Sequence, residues 1–153
     1  MIESHDYDVE VTNTGVKTGV LGASADGLPS IEVASPPEFG GPAGIWSPEH
    51  LFVAALSVCL MTTFRSVAEA SGLEVLDYTD RSSGHLQRGE DRRYSFDKVT
   101  LRPRVLIDDE TKVERTIRLL HKAESVCLIS RSVASEIVLE PTVEVRESSA
   151  TAV

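Results

Sequence analysis

The sequence predicts an α+β fold of mostly antiparallel strands with two main helices, and three observations carry that expectation. Short runs of alternating apolar and polar residues are separated by Gly, Pro and Asp turns. One uncharged apolar run, residues 51–64, directly follows a helix-start signal. A second stretch places Val113, Ile117, Leu120 and Ala123 at helical spacing. At 153 residues the chain can bury a core without disulfides or a structural metal. A single domain is expected over residues 1–146, with 147–153 a polar, flexible tail.

The elements follow in chain order. Residues 7–12 alternate as a strand, residues 15–22 mix glycine with β-branched residues, Ala25-Asp26-Gly27 is a turn, and residues 30–34 alternate again. These make a small meander. Residues 35–44 are rich in Pro and Gly and are expected to be irregular. Ser47-Pro48-Glu49 starts a helix: Ser caps free amides, Pro fits the first position, and Glu complements the positive end of the dipole. The run from Leu51 to Met61 is apolar on every side, which predicts a central, buried helix. It turns amphipathic near Arg65 and Glu69 and stops at Gly72, so about 24 residues would span about 36 Å. Residues 73–86 and 94–107 read as two long strands around a charged turn, 88–93, with Pro103 marking an edge or a bulge. Asp108 or Asp109 caps the second helix. A short helical piece over 128–135 and a final strand over 137–145 complete the chain. No internal repeat or low-complexity segment is present.

Charge and composition exclude several functions. A net charge of −9 argues against nucleic-acid binding, and the cluster Arg88, Arg92, Arg93 is interleaved with Glu90 and Asp91 as a solvated turn. The acidic N-terminus lacks the features of a signal peptide, and the uncharged segment 51–64 is too short to cross a bilayer. A cytoplasmic protein without membrane contact is therefore expected. Thiols there stay reduced unless they are redox-active, so a structural disulfide is not. Four scattered histidines (His5, His50, His85, His121) and no Cys-x-x-Cys make a metal site unexpected. The glycines at 40, 41 and 44 lack the Lys-Ser/Thr ending of a phosphate loop.

Cys59 and Cys127 are the only cysteines, so they are either two small core residues or a working dithiol. Cys59 lies in the apolar helix, where burial alone would raise its pKa and make it inert, and its own helical turn offers no cation. Cys127 follows a helix end at the start of another, where free amides make the surroundings electropositive, with His121, Lys122 and Arg131 near in sequence.

Two segments resemble a known family. Residues 37–59, Pro-Glu-Phe-Gly-Gly-Pro-Ala-Gly-Ile-Trp-Ser-Pro-Glu-His-Leu-Phe-Val-Ala-Ala-Leu-Ser-Val-Cys, are similar to the signature of the OsmC/Ohr family. That signature is a Gly-rich loop, Asn/Ser-Pro-Glu-x-Leu, and a small-residue helix with Cys ten positions after Glu. Residues 121–130, His-Lys-Ala-Glu-Ser-Val-Cys-Leu-Ile-Ser, resemble the family's second cysteine segment, and the two come in the family's order.

The resemblance implies an OsmC-like subunit that intertwines with a second copy into a homodimer, sheets wrapped around central cysteine-bearing helices. It also implies a thiol peroxidase of organic hydroperoxides. Cys59 would be the peroxidatic cysteine, Cys127 the resolving one, and Glu49 the glutamate that pairs with an activating arginine. An external dithiol of the dihydrolipoyl type would restore the thiols, with no bound cofactor. The sequence departs from the pattern in two places. Lys17 stands where the arginine is expected, without its planar fork, and Leu128 replaces the proline after the second cysteine. Ten helical residues separate Glu49 from Cys59 by about 15 Å and about 80° of rotation. Glu49 is therefore expected to serve the partner's cysteine or to act through Lys17. Phe39, Trp46, Leu51, Phe52, Leu56 and Leu60 are expected to wall the thiol and to select apolar peroxides over hydrogen peroxide. Two other readings stay open: a redox or sensing protein on the same scaffold, and a noncatalytic dimer that binds a small ligand in the apolar cleft.

Overall fold

The computed structural model describes residues 4–15 and 19–147. Lys17 and residues 148–153 of the expected tail lie outside the described residues. The chain divides into two compact units, Met1–Phe52 and Val53–Val153, with the boundary inside the first helix.

The first unit holds the meander. Strands β1 (Glu10–Gly15), β2 (Val20–Ser24) and β3 (Ile31–Val33) form an antiparallel sheet in that order, with an irregularity between Asn13 and Gly15. The irregular segment contains one 3₁₀ turn, Pro37–Phe39, and folds back so that Ala34 N–H donates to Trp46 O at 2.9 Å. Gly41 has no alternative at its position, because a Cβ there would lie 1.6 Å from the Ser35 carbonyl oxygen.

Helix α1 (Pro48–Ala70) begins as its sequence dictates. Ser47 Oγ accepts from His50 N at 3.3 Å, which satisfies one free amide of the first turn, and its carbonyl accepts the first regular helix bond from Leu51 N at 3.0 Å. The helix ends at Gly72, whose φ of 65° only glycine adopts without strain. Gly72 N donates to Glu69 O at 3.0 Å and Leu73 N to Ala68 O at 2.9 Å, the paired bonds of a Schellman stop. In this chain α1 buries a single stripe, Leu56, Leu60, Phe64 and Ala68, at i, i+4 spacing. On another face, Val58 is 59% exposed in this chain. At 23 residues, α1 is also long and apolar enough to cross a membrane by length and composition. The expectation of a segment too short to cross a bilayer counted only the uncharged residues 51–64, whereas the helix runs on through Arg65 and Glu69, as its sequence predicts.

The remaining strands belong to the second unit and form two three-stranded sheets of the same pattern. β4 (Asp77–Asp80), β7 (Pro103–Ile107) and β9 (Thr142–Val145) make one, and β5 (Ser83–Arg88), β6 (Tyr94–Leu101) and β8 (Glu136–Leu139) the other. The central strand of each pairs antiparallel on one side and parallel on the other. Each long strand expected from the sequence is therefore two strands in different sheets. The three breaks share one line. Glu140 N donates to Leu101 O at 2.9 Å, Arg102 Nε to Glu140 Oε2 at 2.8 Å, and Arg102 N to Asp80 Oδ1 at 2.8 Å. Pro103 is neither edge nor bulge. It opens a central strand, a position where a missing N–H is tolerated.

Helix α2 (Val113–Val126) follows a 3₁₀ turn, Glu110–Lys112, whose cap is Asp109: its carboxylate accepts from Thr111 N at 2.9 Å. Its buried residues are Thr116, Leu120 and Ala123, so Thr116 takes a core place expected of Val113 or Ile117. Thr116 escapes the cost of a buried hydroxyl by donating to Lys112 O at 2.9 Å. Only Ser130–Ser132, a 3₁₀ turn, is helical in the segment beyond. Val99, Leu101, Val105 and Ile107 of β6 and β7, with Leu120 and Ala123, are fully buried and form the core of this unit.

Candidate functional site

Both cysteines lie in the second unit. Cys59 lies in the middle of α1, one residue before the buried Leu60, and is half-buried. Cys127 is the C-cap of α2, in extended conformation (φ −62°, ψ 122°), and is fully buried. Sixty-eight residues apart in sequence, they meet: Cys127 Sγ donates to Cys59 Sγ at 2.7 Å. Both are free thiols.

The surroundings drive their acidities apart. Burial pushes the Cys59 thiol up, but donors to its sulfur outweigh it and leave it below the ordinary cysteine value. These are the Cys127 thiol, the Ile129 amide, the Thr63 hydroxyl and the Leu128 amide. Thr63 Oγ1 stands 4.0 Å away, one helical turn on. Cys127 moves the other way: burial raises its pKa first, and donating to Cys59 and facing its charge raise it further. Ser130 Oγ is buried without a hydrogen-bond partner, near enough to favour a Cys127 anion but not in hydrogen-bonding geometry. The electropositive setting expected at Cys127 thus acts chiefly on Cys59.

The other expected site residues separate into groups. Leu56 and Leu60, on the same helix as Cys59, have no exposed surface in this chain. Phe39 and Trp46, 47% and 53% exposed, and the half-buried Leu51 and Phe52 belong to the first unit. Trp46 stands edge-on to His50 at 6.3 Å, and with Gly44 and Ile45 they line a surface pocket of about 250 Å³. Glu49 sits in the first turn of α1 and belongs to the first unit. Its Oε2 is buried with no hydrogen-bond partner among the described residues.

Sequence reasoning missed the segment that completes the site. Val126, Leu128 and Ile129 are 47%, 71% and 37% exposed, an apolar lip on either side of a buried cysteine. The signal was present as apolar residues flanking Cys127. Asp80 was missed as well. Its Oδ2 accepts from Ser57 Oγ of α1 at 2.6 Å and from Ser82 Oγ at 2.7 Å, which ties the cysteine helix to the sheet break. Among the described residues no cluster of three His, Cys, Asp or Glu could hold a metal.

Comparison with known proteins agrees with this architecture. Over 113 residues the chain is 28% identical to protein YmaD of Bacillus subtilis, covering 71% of this chain and 73% of that protein. An OsmC-like protein of unknown function from Vibrio cholerae, VCA0330, superposes with a TM-score of 0.82 at 28% identity, over 90% of this chain and 99% of the other. An organic hydroperoxide resistance protein from Legionella pneumophila gives a TM-score of 0.70 at 25% identity, over 93% and 100%. The family model for OsmC-like protein matches residues 41–142, a span that includes both cysteines, and with the fold it establishes that the chain belongs to the OsmC-like family.

Proposed function

We propose that the protein is a thiol-dependent peroxidase that reduces apolar organic hydroperoxides to alcohols. The observation that carries this reading is the sulfur pair at 2.7 Å, with Cys59 half-buried and Cys127 fully buried. The Cys59 thiolate attacks the terminal oxygen of the hydroperoxide. The O–O bond breaks, Cys59 becomes a sulfenic acid, and the departing alkoxide takes a proton to give the alcohol. The Cys127 sulfur then attacks the Cys59 sulfur, forming a disulfide and releasing water. A covalent S–S bond is about 2.04 Å long, so closure requires less than about 1 Å of movement. An external dithiol of the dihydrolipoyl type reduces the disulfide by exchange and leaves oxidised.

The apolar lip at Val126, Leu128 and Ile129 supports the choice of substrate, because it lies beside the attacking sulfur. The incompletely covered face of α1 supports a homodimer in which a second copy packs on Val58 and its neighbours. The Glu49 Oε2 atom, buried without a partner among the described residues, supports a donor from elsewhere, either Lys17 or a residue of the second copy.

The test is a thiol titration before and after one equivalent of cumene-type hydroperoxide. Loss of two thiols with an intramolecular disulfide is expected, and unreactive thiols in the folded protein would overturn the reading. Cys127→Ser should consume one equivalent and stop at the sulfenic acid, whereas Cys59→Ser should consume none. A second reading, a thiol sensor on the same scaffold, is favoured by the donors around Cys59 being neutral amides and hydroxyls. Slow turnover with efficient single oxidation would select it.

A further inference from the structure

Asp80, the last residue of β4, is half-buried and engages three neutral donors with its two oxygens. Its Oδ2 accepts from Ser57 Oγ at 2.6 Å and from Ser82 Oγ at 2.7 Å, and its Oδ1 accepts from Arg102 N at 2.8 Å. The Arg102 side chain is turned away, to Glu140 and Ser83. Arg102 stands between β6 and β7, so one carboxylate fastens α1 to the end of β6. The segment after Cys127 is fastened to the same strand by another route. Ser135 Oγ donates to Phe96 O at 2.8 Å, and β8 pairs with Lys98–Leu101. Ser57 and Cys59 lie on opposite flanks of the buried pair Leu56 and Leu60. They are about 3 Å apart along the helix axis and about 160° apart around it. Apolar burial has no preferred direction, so that pair alone sets the roll of the helix only loosely. With side chains reaching about 5 Å from the axis, a roll of about 20° would move the Cys59 sulfur by about 1.7 Å. That is more than half of the 2.7 Å between the sulfurs.

We propose that Asp80 is a positioning residue of the dithiol: by holding Ser57 it fixes the roll of α1, and with it the approach of the Cys59 and Cys127 sulfurs on which disulfide closure depends. The inference deepens the peroxidase reading and rests on it for the use made of the disulfide. Asp80 acts through Ser57 and touches neither sulfur in this role. A carboxylate suits the task because its two oxygens accept from the helix and from the sheet break at once. The short hydroxyl bond at 2.6 Å is of the charge-assisted kind, stronger than a bond between neutral groups.

The experiment compares Ser57→Ala, Ser82→Ala and Asp80→Ala in the full chain. Each protein is equilibrated with glutathione and glutathione disulfide: the two protein thiols are oxidised to the Cys59–Cys127 disulfide while glutathione disulfide is reduced to two thiols. The oxidised fraction is read by acid quenching, alkylation and mass spectrometry, and urea denaturation of the reduced proteins is measured alongside. Ser57→Ala removes the helix from the carboxylate and should lower the constant for disulfide formation by about tenfold, about 30 mV. Ser82→Ala removes a hydroxyl from the same oxygen without touching α1 and should keep the parent constant. A role confined to stability would lower the urea midpoints of both serine variants and leave both constants unchanged. Asp80→Ala should shift the constant at least as far as Ser57→Ala. It leaves Arg102 N without its acceptor, and if it fails to fold, Ser57→Ala decides, because alanine is at home inside a helix. A parent constant in Ser57→Ala, or an equal shift in Ser82→Ala, overturns the inference. The equilibrium needs no hydroperoxide. The expected shift in a protein that never consumes hydroperoxide would sink the peroxidase reading alone, and an unshifted constant in an active protein would sink only the role of Asp80.

Discussion

Cys127→Ala should raise the pKa of Cys59, and Cys127→Ser should not. The bond at stake is the 2.7 Å contact in which the Cys127 thiol donates to the Cys59 sulfur. A hydrogen bond to a charged group contributes about 1.5–3 kcal/mol. At 1.36 kcal/mol per pH unit this corresponds to about 1–2 units. Sulfur is a softer, longer-range acceptor than oxygen, so the lower end of that range is expected. Each variant contains one thiol, which removes the coupling that would otherwise assign two macroscopic steps to the pair. The assay is the ultraviolet absorbance of the thiolate during a pH titration, with circular dichroism to confirm folding. The alanine variant loses the donor, and its midpoint should lie about one unit above that of the serine variant, whose hydroxyl still donates. The small cavity left by alanine cannot mimic this result, because more space admits water, which solvates the anion and lowers the midpoint. Equal midpoints would refute the claim that Cys127 holds the thiolate, and with it the division of roles between the cysteines.

The first oxidation of Cys59 should accelerate as pH rises and level off at a pH below that of an ordinary cysteine, read by stopped-flow consumption of one hydroperoxide equivalent. Stability should respond weakly over the same range. Cys59, depressed, contributes stability above its unfolded pKa that is lost as pH falls through the folded one; Cys127, raised, contributes stability that is lost as pH rises. Leu120→Ala removes a fully buried side chain and should cost about 2–5 kcal/mol in urea denaturation. Gly84→Ala should cost about 1–3 kcal/mol, since the new Cβ would lie 2.6 Å from Phe96 Cε1 and 2.7 Å from Val53 Cγ2. An unchanged denaturation midpoint would show that Phe96 and Val53 yield freely.

Local signals were legible where the physics is local. Ser47 and Gly72 bound α1 because a cap hydroxyl and a left-handed residue act on amides and carbonyls within one turn. Asp109 was legible in the same way. The two long strands were not read as four, because the break at Arg102 depends on bonds to Asp80 and Glu140, which are 22 and 38 residues away. Thr116 was overlooked as core because its hydroxyl is satisfied inside its own helix. The apolar character of α1 was plain, yet it could not tell which face this chain covers.

Sequence alone determined the family, the two cysteines and their order, because a cap motif and a helix of small residues are written in consecutive positions. Only the tertiary structure decided that the sulfurs meet and which groups surround them. Those depend on how the end of α2 lands on the middle of α1. A thiol's acidity is set by donors within a few ångströms, and here the donors come from residues 63 and 127–129, a grouping that exists only once the chain has folded.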